Sequence, residues 1–143
     1  MEIVAVIDFE TTGLSPAQGD RATEIAAVIV EGGRVVDRYQ SLMNGGVRIP
    51  AYIEALTGIS NAMIRNAPPA ADVMRAVSDF VGDIPIVGNA FKHKRVQRML
   101  EAHGVAARGW AFAISVSIAA APSLPIRNAA CARISRKATS VPK

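Results

Sequence analysis

The chain begins with an apolar run, residues 2–9, that ends at two carboxylates. Successive side chains of a β-strand point to opposite faces, and here both sets are apolar, which is typical of a central strand covered on two sides. Asp8 and Glu10 lie one residue apart and would face the same way at the carboxyl end of this strand. We therefore expect this strand to lie in a sheet that is covered by other parts of the chain on both faces.

The rest of the first ninety residues predicts an α/β domain with a mixed sheet. We expect three antiparallel strands in a meander, then helices, then a fourth strand parallel to the first, reached by a right-handed crossover. The strands are expected at residues 2–9, 24–30, 34–42 and 84–87, and the helices at residues 49–56 and 70–81. Ser60 is expected to cap a further short helix, and apolar residues within 91–100 are spaced for one more.

Charge divides the chain near residue 90. Residues 1–90 carry six Arg, no Lys and eleven acidic residues, a net charge of −5. Residues 91–143 carry ten Lys or Arg and only Glu101, a net charge of +9, in an Ala-, Ser- and Arg-rich sequence. We therefore expect a domain over residues 1–90 and a truncated or irregular, poorly structured basic tail over residues 91–143. A basic tail is typical of nucleic-acid binding.

No feature of the sequence indicates secretion or a membrane. The start, Met1-Glu2-Ile3, lacks the basic residues of a signal peptide, and the apolar stretch at residues 110–121 is too short to span a bilayer. The single cysteine, Cys131, cannot form an internal disulfide. We expect a cytoplasmic protein with no membrane partner.

The paired carboxylates have two interpretations. Side chains two residues apart on a strand are roughly 6–7 Å apart, and two carboxylates there repel by about 2–3 kcal/mol. A divalent cation such as Mg²⁺ or Mn²⁺ would remove that cost and could assist phosphodiester hydrolysis. Alternatively, one carboxylate is solvated and the other caps the following turn, and from the pair alone this second interpretation is the commoner one.

The string V-I-D-F-E-T-T-G-L at residues 6–14 resembles the first motif of the DnaQ-like (DEDD) 3′→5′ exonucleases, in the group of the DNA polymerase III epsilon subunit and RNase T. The resemblance continues at residues 24–26, 49–59, 67–69 and 86–87, and it covers about residues 2–90. It implies a ribonuclease H-like sheet with flanking helices, a two-metal site holding Mg²⁺ or Mn²⁺, and the 3′ end of a nucleic acid as substrate.

The resemblance assigns roles residue by residue. It implies that Asp8 and Glu10 are catalytic and bind the metal ions, while a hydroxide attacks the terminal phosphodiester in line and a nucleoside monophosphate leaves. The residues that it implies for nucleic-acid binding are Thr11, Thr12, Gly13, Leu14, Leu56, Thr57, Gly58, Ile59 and Asn89. The sequence of residues 57–59 is also typical of a helix end with a hydrophobic anchor, which would be a structural role instead of a binding role.

Two later motifs of that family are incomplete in this chain. Lys92 stands where the third acidic ligand is expected, and an ammonium there would reverse the local charge beside the metal ions. The last motif, a His or Tyr followed by Asp, is absent because nothing in residues 102–143 is acidic. His93 and His103 are both expected on the surface of a helix.

Three functions follow from these observations. The first is a metal-dependent 3′→5′ exonuclease of the proofreading kind, impaired by its missing ligands, with a DNA polymerase subunit as candidate partner. The second is a non-catalytic nucleic-acid-binding protein that uses the basic tail. The third is a remnant without stable function. We further hypothesise that residues from about 88 onward are read out of the family's frame, because the charge change coincides with the loss of two motifs.

Overall fold

A computed structural model describes residues 2–87, 90–106 and 108–113, with the backbone alone at 90–93 and 112–113. Within this range the chain forms five strands and four α-helices, which confirms the α/β class. The strands are β1 (Ile3–Thr11), β2 (Ala22–Glu31), β3 (Arg34–Leu42), β4 (Ile86–Val87) and β5 (Phe112–Ala113), and the helices are α1 (Ala51–Thr57), α2 (Asn61–Arg65), α3 (Ala70–Val81) and α4 (Ala90–Ala102). No helix in these ranges is long and apolar enough to cross a membrane.

The strands form one mixed sheet in the order β3-β2-β1-β4-β5. The pairs β1–β2 and β2–β3 are antiparallel, whereas β4 is parallel to β1, with Ala5 opposite Ile86. The predicted meander followed by a parallel strand is therefore confirmed. No sequence pattern predicts β5, whose residue Phe112 pairs in parallel with Ile86.

The two faces of β1 are both buried, as its apolar pattern predicts. Ala5, Ile7 and Phe9 lie in the larger core cluster, together with buried side chains from α3 and α4. Val4 and Val6 lie in a second cluster on the opposite face, with residues of β2. Because Asp8 and Glu10 alternate with Phe9, they continue the second face toward the end of the strand.

The turn between α1 and α2 follows its sequence signals closely. The Ser60 Oγ accepts a hydrogen bond from the Met63 N–H at 3.1 Å, which confirms the predicted cap of α2. Four isoleucines from this region form a small separate cluster against Leu42 at the end of β3: Ile49, Ile53, Ile59 and Ile64. The cluster fixes α1 and α2 at the edge of the sheet where β3 ends.

The core extends past residue 90. The helical stripe predicted within residues 91–100 is confirmed by α4, and Val96, Met99 and Leu100 are each at most 3% exposed. Farther on, the Trp110 indole donates a hydrogen bond to the Gly82 carbonyl at 2.7 Å. Residues on both sides of the expected division therefore build one core. The tail beyond residue 113 lies outside the described residues.

Candidate active site

The two predicted catalytic carboxylates lie on one face of β1, near its carboxyl end. β1 extends two residues beyond its predicted end at residue 9, so Glu10 as well as Asp8 lies within the strand and is paired with β2. Asp8 is half-buried opposite Ala26, and Glu10 is 5% exposed opposite Glu24, which is itself 1% exposed. Directly opposed residues on antiparallel strands have Cβ atoms about 5 Å apart. Glu24 therefore adds a third acid to this face, which sequence reasoning did not assign to the site.

The carboxylate pair suits a hard divalent cation but does not form a complete site by itself. Carboxylate oxygens are the ligands that Mg²⁺ and Mn²⁺ prefer, and a cation would offset the repulsion between neighbouring acids. In the described part of the chain, no group of three or more His, Cys, Asp or Glu side chains is arranged to hold a metal ion. Asn89 and the Lys92 side chain, at the next expected motif, lie outside the described residues.

The loop that follows β1 is held in shape by Asp20. One carboxylate oxygen of Asp20 accepts a hydrogen bond from the Thr12 hydroxyl at 3.1 Å, and the other accepts one from the Ser15 N–H at 2.9 Å. The Thr11 hydroxyl donates to the Gly13 carbonyl at 2.7 Å. Asp20 thus positions the segment that the resemblance assigns to the terminal nucleotide. Sequence reasoning missed it, although an Asp near a turn is a familiar backbone acceptor.

The loop presents one large apolar side chain to solvent. Leu14 is 87% exposed, whereas Thr11 and Thr12 are only 9% and 4% exposed. A Cβ on Gly13 would overlap the Asp20 carboxylate, so a side chain at this position would displace that carboxylate. Of the predicted contacts in this loop, Leu14 is therefore the side chain that a ligand could reach most directly.

The second predicted binding segment, residues 56–59, is a helix end of well-defined geometry. Gly58 has φ of 74°, in the left-handed region, and its N–H donates to the Glu54 carbonyl at 2.8 Å. The Thr57 hydroxyl donates to the Ile53 carbonyl at 2.8 Å and accepts from the Ile59 N–H at 3.2 Å. The sequence Thr-Gly therefore ends α1 as a glycine C-cap.

In this segment one apolar side chain is buried and another is exposed to solvent. Ile59 is 3% exposed and lies in the isoleucine cluster, while Leu56 is 79% exposed. The two interpretations offered for the segment are compatible, because Ile59 supplies an anchor and Leu56 supplies a surface. Nucleic-acid contact by these residues stays a prediction.

His103 is not the surface residue that the sequence suggested. It is 9% exposed, and its Nε2 accepts a hydrogen bond from the Ala22 N–H at 3.2 Å. Burial, and secondarily the charge of Arg21, lower the pKa of His103 to about 4. His103 is thus a neutral acceptor near pH 7 that ties the end of α4 to the start of β2. The side chain of His93 lies outside the described residues.

The ends of three strands bring the separate motifs to one edge of the sheet. β1 leaves the sheet at Thr11, β2 enters at Ala22, and β3 leaves at Leu42, which pairs with Glu24. The loop after β1 and the helices after β3 therefore meet at the edge where Asp8 and Glu10 lie. Strand pairing thus places the loop after β1 and, through Leu42, the isoleucine cluster of α1 and α2 at the same end of the sheet.

Comparison with known proteins extends this description. Residues 5–106 match the RNase T family model, which is described as an exonuclease. The chain is 49% identical over 72 residues to the 3′-5′ exonuclease DinG of Bacillus subtilis, and 39% identical over 84 residues to the DNA polymerase III subunit epsilon of Aquifex aeolicus. These alignments cover 50% and 59% of this chain but only 8% and 41% of the relatives.

Solved structures share the fold. The E. coli exonuclease I complex with a 5cy-dA13 oligonucleotide superposes with a TM-score of 0.61 at 16% identity, over 74% of this chain and 25% of that chain. A zinc-bound form of the E. coli exonuclease I–ssDNA complex gives the same TM-score. At this identity the likeness concerns the fold alone, and it confirms the ribonuclease H-like sheet.

Proposed function

Because the chain belongs to the RNase T exonuclease family, we propose that it removes nucleotides from the 3′ end of a nucleic-acid strand with Mg²⁺ or Mn²⁺. The observation that carries this proposal is the position of Asp8 and Glu10 on one face of the central strand, at the edge where the Thr11–Leu14 loop begins. The relatives named as a 3′-5′ exonuclease and as a polymerase epsilon subunit support the direction of the reaction.

The proposed roles follow from what each side chain offers. Asp8 and Glu10 would hold the divalent cation, which supplies charge neutralisation at the scissile phosphodiester. The exposed side chains of Leu14, in the loop after β1, and Leu56, in α1, would contact the terminal nucleotide. Asp20 would keep the first loop in place through the hydrogen bonds to Thr12 and Ser15.

We propose that this activity is impaired. Lys92 stands where a third acidic ligand is expected, and the described residues do not provide a complete metal-binding cluster. A site with two of the expected acids would bind its cation weakly. The same observations favour one alternative, a protein that binds nucleic acid without cleaving it.

The partner and setting are proposed on narrower grounds. One relative is a DNA polymerase III subunit, so a DNA polymerase subunit is the proposed protein partner, and the cytoplasm is the proposed setting. The chain spans only 41% of that relative, so both statements are proposals.

The proposal is tested with 5′-labelled single-stranded DNA and RNA, with Mn²⁺ in excess. We expect slow shortening from the 3′ end, and we expect Asp8→Asn to abolish it. Asp37→Asn is the matched control, because Asp37 is an exposed Asp on β3 that lies outside the site. Binding of Mn²⁺, followed by electron paramagnetic resonance, should weaken in Asp8→Asn and stay unchanged in Asp37→Asn.

The cause of impairment has its own test. Lys92→Asp should raise both the rate of shortening and the affinity for Mn²⁺, because it removes a cation and adds an oxygen ligand. Lys94→Asp is the control, an identical charge change at an exposed position of α4. Equal effects of the two changes would reject Lys92 as the cause. A wild-type chain that binds the strand yet neither cleaves it nor binds Mn²⁺ would establish the non-catalytic alternative.

A further inference from the structure

An open groove lies between the turn after β3 and helix α2. It has a volume of about 600 Å³, and its polar lining includes Asn44, Arg48, Asn61 and Arg65. No aromatic side chain is among its lining residues. Its chemistry is therefore that of two guanidinium groups and two amides on an open surface.

The walls of the groove are pinned by hydrogen bonds to the backbone. The Asn44 N–H donates to the Pro68 carbonyl at 2.8 Å, and the Asn44 carbonyl accepts from the Ala70 N–H at 2.9 Å. The Asn61 side chain accepts from the Ile49 N–H at 2.8 Å and donates to the Ile49 carbonyl at 2.9 Å. The groove thus has a fixed shape, and a ligand would not have to order these two walls.

The two arginines of the groove have no acidic partner within the part of the chain that the structure describes. Arg75 and Arg108 form ion pairs with aspartates, but no ion pair joins Arg48 or Arg65 to another described residue. Glu54, the acid nearest in the hydrogen-bond network, already accepts two bonds of 2.6 Å from Asn61. Both arginines are exposed, in a region, residues 1–90, whose net charge is −5. Two guanidinium groups without an acidic partner among the described residues, at one groove in an acidic domain, form a local site for anions.

The groove lies at the edge of the sheet that carries the proposed active site. β3 ends at Leu42, opposite Glu24, which in turn lies opposite Glu10. The Met43 N–H donates to the Thr23 carbonyl at 2.9 Å, and the groove begins at the next residue, Asn44. An extended ligand whose end is held at Asp8 and Glu10 could therefore continue along this edge into the groove.

We propose that the Arg48–Arg65 groove binds the phosphate backbone of a nucleic-acid strand upstream of its 3′-terminal nucleotide. This inference depends on the proposed function, since it assumes that the strand ends at Asp8 and Glu10. Guanidinium groups bind phosphate oxygens through paired hydrogen bonds, and the absence of aromatic lining residues disfavours base stacking. The contact is therefore independent of base sequence and serves to hold the strand in position.

The test is equilibrium binding of a fluorescent single-stranded oligonucleotide in EDTA, where cleavage does not interfere. Each phosphate contact to a single strand contributes about 0.7 to the slope of log affinity against log salt concentration. The double variant Arg48→Ala/Arg65→Ala should therefore lower that slope by about 1.4. The matched control is Arg34→Ala/Arg75→Ala, which removes the same charge from exposed positions on β3 and α3 and should keep the wild-type slope.

A second arm identifies the groups that are bound. An oligonucleotide with neutral methylphosphonate linkages upstream of its last phosphodiester should lose affinity for the wild-type chain, but should lose much less for the Arg48→Ala/Arg65→Ala variant. Equal losses for both proteins would overturn the inference. So would an unchanged salt slope in that variant while the wild-type chain binds the strand, and this result would leave the proposed function standing.

Two other outcomes separate the inference from its premise. If the wild-type chain binds no single strand either in EDTA or with Mn²⁺, the proposed function fails and the groove inference fails with it. If the double variant loses binding to phosphatidylserine vesicles but keeps binding to the oligonucleotide, the groove recognises a lipid surface and the inference is wrong. Unfolding curves of all variants in urea confirm that each protein is folded before binding is compared.

Discussion

The carboxylate of Asp20 shapes the loop after β1 from a position ten residues beyond Glu10. One oxygen accepts a hydrogen bond from the Thr12 hydroxyl, and the other accepts one from the Ser15 N–H, which gives this backbone group a partner that an irregular loop would otherwise lack. Gly13 lies against this carboxylate, and the absence of a side chain there lets the loop close. A loop held in this way can present Leu14 to a ligand without first becoming ordered.

Gly13→Ala tests this close contact. The added methyl group would displace the Asp20 carboxylate from its hydrogen bonds to Thr12 and Ser15, so we expect a loss of about 1–3 kcal/mol in the free energy of unfolding. Urea denaturation measures the change. Gly109→Ala is the control, because a Cβ there meets no atom within 4 Å and Gly109 does not have positive φ. Equal effects of the two substitutions would contradict the proposed contact.

His103 makes stability depend on pH. Its pKa is lowered to about 4 in the folded chain, chiefly by burial, whereas it titrates near 6.5 when unfolded. As the pH falls below 6.5, His103 becomes protonated in the unfolded chain but stays neutral in the folded chain. The free energy of unfolding therefore decreases until the pH reaches about 4. Between pH 7.5 and pH 5 this residue should cost about 2 kcal/mol of unfolding free energy.

The measurement is urea denaturation at both pH values, compared with His103→Gln. The Gln side chain can accept the bond from the Ala22 N–H but does not titrate, so the variant should lose less stability on acidification. The same pH dependence in both proteins would assign the effect to other groups.

At the scale of elements, hydrogen bonds from Arg108 and Trp110 attach the segment after α4 to the end of α3. The Arg108 guanidinium donates to the Ser78 hydroxyl at 2.8 Å and to the Asp79 carboxylate at 3.1 Å. The Trp110 ring is 8% exposed and donates to the Gly82 carbonyl. These contacts bring β5 to the edge of β4, so that two residues suffice to extend the sheet.

Removal of the buried Trp110 ring should lower the free energy of unfolding more than removal of the Arg108 charge. Trp110→Ala removes a large buried ring and should cost about 3–5 kcal/mol of unfolding free energy. Trp110→Phe keeps much of the packing and loses the hydrogen bond, at about 1 kcal/mol. Arg108→Ala, whose ion pairs are at the surface, should cost about 1 kcal/mol or less. Urea denaturation of the three variants gives the order, and a larger loss for Arg108→Ala than for Trp110→Ala would contradict it.

The longer elements were predictable because their patterns are local. β3 and α3 have the predicted bounds, since a hairpin turn, a helix stripe and two prolines define them within a few residues. β1 was predicted too short, because pairing with β2 continues through the acidic residues. β5 was missed because two residues carry no periodicity, and only the neighbouring β4 makes them a strand.

For the whole molecule, one core joins residues on both sides of position 90. The match to the family model runs to residue 106, and α4 contributes buried residues to the main cluster. Both observations favour a frame change beyond residue 106 over one near residue 88. The hypothesis of a changed frame itself stays a prediction.

Translating the encoding DNA in its two other frames tests that hypothesis. We expect one of them to contain a His followed five residues later by an Asp, as in the family's last motif, downstream of the codon for residue 88. The present frame, which has no acidic residue in 102–143, is the internal control. If neither alternative frame contains such a string, the tail belongs to the natural sequence and the hypothesis is wrong.

The sequence by itself determined the central strand, the mixed α/β class and the identity of the paired carboxylates. These depend on the alternation of side chains along one strand and on a motif of nine adjacent residues. Only the tertiary structure decided that Glu24 faces Glu10, that His103 is buried, and that Arg48 and Arg65 share a groove. The physical reason is distance along the chain, because each of these arrangements joins residues that come together only when strands pair and helices pack.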